Sequence, residues 1–217
     1  MFHRIFKRVA PAVAMAMGAV TAGCDGMEMR FGDGQGVPLA ELDTGGAAPT
    51  GVVLASPDRL IVSQGQALDI AVTGDPEAVE AMRFTIEDGT LGVMRDHDLR
   101  KAEGRATVRV TMPSLDSIVL AGSGTVEAAT LTGDAEVTIA GSGTVRTAQV
   151  AAGGFTMTVA GSGSYQAGGT ADRLELSIVG SGRSDMAELT VGSADVTIAG
   201  SGAAEFASDG TVEANIV

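Results

Sequence analysis

The chain has 217 residues, 45% hydrophobic, 19% charged and only 3% aromatic, with no Trp. That is too apolar for a disordered polymer and too poor in large rings for a wide core, and its 31 glycines follow no collagen-like triplet period. A formal net charge of −13 disfavours nucleic acid and anionic lipid head groups as partners; such a surface stays soluble and attracts cations or basic partners.

Residues 1–23 read as a secretory signal peptide. His3, Arg4, Lys7 and Arg8 form a basic start, and Val9 to Val20 is an apolar run interrupted by Pro11 and Gly18. The run is too short to span a membrane as a helix. Removing the leader with its three Arg and Lys residues leaves 27 acidic against 11 basic side chains, a net charge of −16. Cys24 is the only cysteine, so no intramolecular disulfide can form. Thr21-Ala22-Gly23-Cys24 resembles a lipobox, although Thr21 stands where Leu is usual. Cys24 is therefore the expected lipidation site, with ordinary cleavage after Ala22 as the alternative. Acyl chains there would hold a soluble domain at a bacterial envelope membrane, on the periplasmic side of the inner membrane or at the outer membrane. Asp25 resembles an inner-membrane retention signal.

Residues 24–50 are rich in Gly and acidic side chains, as in Gly32-Asp33-Gly34-Gln35-Gly36, and read as a flexible tether. The run lacks the spaced oxygen ligands and closing Glu of a calcium loop. The domain is expected over 51–217. Arg59–Gly65 and Leu68–Val72 predict two strands around a Gly turn, and Pro76–Met82 a turn or two of helix. Phe84–Val93 predicts a hairpin, Arg95–Arg105 a charged loop, and Ala106–Met112 a strand feeding the repeats that occupy 115–217.

Gly-Ser-Gly occurs five times, at Gly122-Ser123-Gly124, Gly141-Ser142-Gly143, Gly161-Ser162-Gly163, Gly180-Ser181-Gly182 and Gly200-Ser201-Gly202, at intervals of 19, 20, 19 and 20 residues. Before each triplet the chain alternates. Ile118, Val137, Met157, Leu176 and Val196 stand four residues ahead, and Leu120, Ile139, Val159, Ile178 and Ile198 two ahead. Val119, Thr138, Thr158, Ser177 and Thr197 lie between them. Period two marks a strand with one apolar face and one mostly hydroxyl face. A second, weaker strand follows in most copies, marked by Leu131, Val150 and Leu189, before turns at Gly133-Asp134, Gly153-Gly154 and Gly192-Ser193. One copy cannot bury its own apolar face; stacked copies turn each apolar position into a column. The sequence therefore predicts an all-β parallel β-helix or β-solenoid of about 19–20 residues per coil, with glycine corners and segment 51–112 closing one end. A sandwich of hairpins is the alternative, but the copies lack regular two-residue hairpin turns.

Leu60–Gly65, Ile86-Glu87-Asp88-Gly89-Thr90-Leu91 and the serial triplets resemble the family called putative auto-transporter adhesin, head GIN domain, over residues 51–217. The resemblance implies a β-helical domain of envelope proteins, often lipoproteins. It brings no established activity and no catalytic residues. No membrane-barrel segment follows the domain, so self-translocation is not expected.

The residues offer little for catalysis. His97 is the only histidine past the leader and sits in a charged loop. A zinc site needs three or four ligands, and the triplets lack the Lys and Ser/Thr of a phosphate-binding loop. The expected outward column carries no charge, and Tyr165 is poor material for stacking sugars. No metal or cofactor is expected. The expected function is a non-catalytic envelope module contacting an unknown polymer or protein, with self-association through the C-terminal coil as a further possibility. A polysaccharide-active β-helix enzyme is the alternative.

Overall fold

The computed structural model describes residues 36–100 and 102–217. The leader, Cys24 and residues 24–35 of the tether lie outside the described residues. From Gly36 the chain makes a short 3-10 turn at Leu39–Glu41, and Val37 forms an isolated antiparallel bridge to Phe84.

The strands are β1 (Gly51–Ala55), β2 (Arg59–Gln64), β3 (Asp69–Gly74), β4 (Met82–Glu87), β5 (Thr90–Arg95), β6 (Ala106–Met112) and β7 (Ser117–Gly122). They continue as β8 (Thr125–Gly141), β9 (Thr144–Gly161), β10 (Ser164–Gly180), β11 (Arg183–Gly200), β12 (Ala203–Ser208) and β13 (Val212–Ile216). One helix, α1 (Pro76–Glu80), opens with Pro at its first turn, where a missing N–H costs nothing. The fold is a parallel β-solenoid, as the repeat predicts.

The chain alternates inward and outward along each coil until a corner breaks the period. In β8 the buried residues are Val126 and Ala128, then Leu131, then Ala135, Val137 and Ile139. The steps of three and four residues around Leu131 are corners, so one coil has three inward faces. The expected turn at Gly133-Asp134 is such a corner within a continuous strand, with Gly133 at φ 83° and a register shift beside it.

Successive coils pair in parallel and in register. Ile118, Val137, Met157, Leu176 and Val196 form one column, and Leu120, Ile139, Val159, Ile178 and Ile198 a second. All ten are buried, and burying a side chain of this size contributes roughly 1.5–3 kcal/mol. The short middle face stacks Leu131, Val150 and Leu189 around Gly169. Gly169 sits at φ 120° beside a bulge, which is why the third copy lacked an apolar marker. Tyr165 is fully buried in the next column and donates to Thr147 Oγ1 at 3.2 Å; Phe155 lies 5.9 Å away between ring centres. Burial pushes the Tyr165 phenol up, with the Thr147 hydrogen bond opposing.

The N-terminal end is closed as expected but by an unexpected route. β1 pairs in parallel with β7 on one side and β5 on the other, and β2 likewise lies between β8 and β6. The first coil in sequence is thus the second in space. β4 and β3 then run antiparallel on the outer edges of β5 and β6, ending the parallel stack. The predicted strands β2 and β3 exist, but β6 separates them.

Candidate functional site

The five triplets lie at one corner of successive coils. The first glycine of each has φ between 116° and 126°, a region that L side chains rarely enter. A Cβ on Gly141, Gly161, Gly180 or Gly200 would stand 2.5–2.6 Å from the carbonyl oxygen of the triplet below. The second glycine faces inward. A Cβ on Gly163 would stand 2.5 Å from Ile139 Cγ2, and one on Gly182 equally close to Val159 Cγ1. Between them Ser123, Ser142, Ser162, Ser181 and Ser201 are exposed. From Ser142 onward their backbone N–H groups donate to the preceding triplet's first carbonyl at 2.8–3.0 Å, so the corner is tiled by main-chain bonds and the hydroxyls face water.

The broad face ahead of the corner presents two outward columns. Val119, Thr138, Thr158, Ser177 and Thr197 stand side by side and continue to Asn215. Two residues upstream runs a second column, Ser117, Glu136, Thr156, Glu175, Asp195 and Glu213. Reading only the position between the apolar columns left this acidic stripe unnoticed, although its period of two was available. Rungs of a parallel sheet lie about 4.8 Å apart, so adjacent carboxylates repel weakly and keep the face hydrated. Among the described residues no three His, Cys, Asp or Glu side chains gather as metal ligands. His97 is exposed beside Asp98.

Glu136 and Asp116 sit on neighbouring rungs, where the Glu136 N–H donates to the Asp116 carbonyl at 2.8 Å. Burial pushes both carboxyls up, and the Asp116 charge adds to the effect on Glu136. Groups with raised folded values stabilise the fold below their unfolded range, about pH 4, and lose that contribution as pH rises through the raised values. The contribution of this pair to the melting temperature is therefore expected to decline as pH rises from about 4 through the raised values. An Asp116→Asn, Glu136→Gln double variant should flatten that slope in a thermal melt series; an unchanged slope would refute the assignment.

Among the described residues one buried ion pair is found, where the first coil turns. Asp58 is 0% and Arg95 7% exposed. Asp58 accepts from Arg95 Nε at 2.8 Å, from Arg95 Nη2 at 2.7 Å and from the Ala106 N–H at 2.8 Å. Burial opposes ionisation, but these hydrogen bonds win and hold its carboxyl below the usual range. Arg95 also donates to the carbonyls of Ala102 and Gly104, pinning the loop between β5 and β6. The charged loop expected from Arg95 thus begins inside the core. At this corner Ser56-Pro57-Asp58 replaces a glycine triplet, and the pair fills the opening.

An open groove of about 530 Å³ lies over the capped end, lined by Leu39, Val72, Val79, Met82 and Phe84 with Arg83 at its rim. Arg83 is committed to Asp96 at 2.9 Å and to two backbone carbonyls.

The family model described as putative auto-transporter adhesin, head GIN domain, matches residues 48–217. The chain belongs to this family. Solved structures share this fold at low identity. A protein named a putative adhesin from Bacteroides fragilis NCTC 9343 is 17% identical, with a TM-score of 0.63 over 78% of this chain and 93% of that one. A putative adhesin from Parabacteroides distasonis ATCC 8503 is 16% identical, with a TM-score of 0.57 over 79% and 90%. A protein from the same organism named a putative lipid binding protein is 17% identical, with a TM-score of 0.55 over 78% and 89%. No curated protein matches the chain.

Proposed function

We propose that this head GIN domain is an exported, non-catalytic binding module of the bacterial cell envelope, tethered to a lipidated Cys24 through the part of segment 24–50 that precedes the docked Val37. The observation that carries the binding reading is the flat outward face on which Thr138, Thr158, Ser177 and Thr197 stand in register. Regularly spaced hydroxyls on a rigid sheet match a repeating, polar polymer better than a small substrate. A flat face also lacks the enclosed, converging groups that acid–base or nucleophilic chemistry requires. Family membership supports the adhesin-like reading and the absence of an enzymatic role.

Replacing Thr138, Thr158 and Thr197 together with Val keeps the strand propensity and removes the hydroxyls. In co-sedimentation with insoluble envelope polysaccharide and cell-wall sacculi, the parent is expected to pellet and the triple variant to lose at least tenfold in affinity. Equal sedimentation of both, or of neither, would remove the support for this face. The anchor has its own test: Cys24→Ala should move the protein from the membrane fraction to the soluble envelope fraction, and unchanged fractionation would overturn lipidation.

A further inference from the structure

The two ends of the solenoid are finished differently. At the N-terminal end β3 and β4 reverse direction over the stack. At the other end β12 and β13 pair only inward with β11, and among the described residues nothing pairs with their outer edges. The inward columns end there only partly covered: Tyr165, Ser184 and Ala204; Met186 and Phe206; Ile178, Ile198 and Ile216. Val212 is 46% and Ile216 68% exposed.

The backbone of this edge is also half unpaired. Ala203 N–H donates to Gly182, and Val217 N–H donates to Ile198 while its carbonyl accepts from Gly200. By the alternation of a parallel ladder, the N–H and C=O groups of Ala204 and Phe206, and of Val212, Ala214 and Ile216, point away from the stack. An exposed edge of this kind is a template for another strand.

Charge selects the occupant. After Arg183 the chain has six carboxylates, Asp185, Glu188, Asp195, Glu205, Asp209 and Glu213, and no Lys, Arg or His. Two outward columns reach the edge on acidic steps, Asp185 beside Glu205 and Asp195 beside Glu213. A second copy joined through the same edge would bring this acidic edge against itself. A strand with Lys or Arg at its outward positions would instead continue both columns with opposite charge, while its alternate apolar side chains covered Phe206, Val212 and Ile216.

We infer that the β12–β13 edge is a strand-addition site for an extended, basic segment of another protein, with alternating cationic and apolar residues, which adds the next rung of the solenoid. The probe is a synthetic ten-residue peptide of alternating Val and Lys, added to the full chain. Calorimetry should show binding that weakens as salt rises, and amide hydrogen exchange should slow at least tenfold at Val212, Ala214 and Ile216 where one peptide extends β13, and at Ala204 and Phe206 where a second extends β12. A Glu205→Lys, Glu213→Lys double variant should switch preference to the alternating Val–Glu peptide. Three results would overturn the inference: no added protection at these amides at millimolar peptide, equal binding of a peptide with its Val and Lys residues in two blocks, or protection of the same amides by concentration-dependent dimerisation without peptide.

Discussion

Asp58→Ala is expected to destabilise the domain by about 3–5 kcal/mol, the range for removing one partner of a buried ion pair and stranding the other. The carboxylate receives three hydrogen bonds within 2.8 Å and has no exposed surface. Its loss leaves the Arg95 guanidinium facing the core with only two carbonyls. At roughly 2–4 °C per kcal/mol for a domain this size, the melting temperature should fall by about 6–20 °C. Asp58→Asn keeps an acceptor and should cost less. An Asp58→Ala, Arg95→Met double variant should recover part of the loss, because no charge is then stranded. A single-variant loss below about 1 kcal/mol would mean that the pair is hydrated and does not seal the corner.

Gly161→Ala is expected to cost about 3 kcal/mol or more, although it adds one methyl group. Two effects combine. Gly161 holds φ at 117°, a conformation that carries about 1–3 kcal/mol of strain for a residue with a Cβ. The new Cβ would also stand 2.6 Å from the Gly141 oxygen, and main chain tied into the next rung cannot move aside cheaply. Ser162→Ala, one residue on, removes a solvent-facing hydroxyl and should stay within about 0.5 kcal/mol. Denaturant melts of the two variants separate a corner maintained by its glycines from one maintained by its serines. Similar costs for both would contradict the geometry described.

The repeat portion of the fold was legible because one local rule is written five times. Ile118 and its equivalents announce an inward face, and the triplet announces the corner. Parallel in-register stacking follows, since any other arrangement leaves those faces uncovered. The cap was only half legible. Its strands carry local signals, but their order does not: nothing near Gly51–Ala55 says that β5 and β7 will lie on either side. Asp58 and Arg95 are separated by 37 residues, and neither stands in a recognisable pattern, so an apparently solvated charge proved to be core. The acidic column was missed for a different reason. Glu136, Glu175, Asp195 and Glu213 keep the same period as the hydroxyl column, but Thr156 interrupts them.

The first coil occupies the second level of the stack, and this constrains how the molecule can be made. A ribosome delivers β1 and β2 long before β7 and β8, which form one of the layers they must lie between. Leu54 meets Leu120 only after the intervening 65 residues have been placed. The repeats can zip up rung by rung from local contacts, but the opening segment can pair early only with β5 and β6, and its other edge stays open until β7 and β8 exist. Chain growth therefore leaves one edge of the opening coil unpaired until the repeats begin.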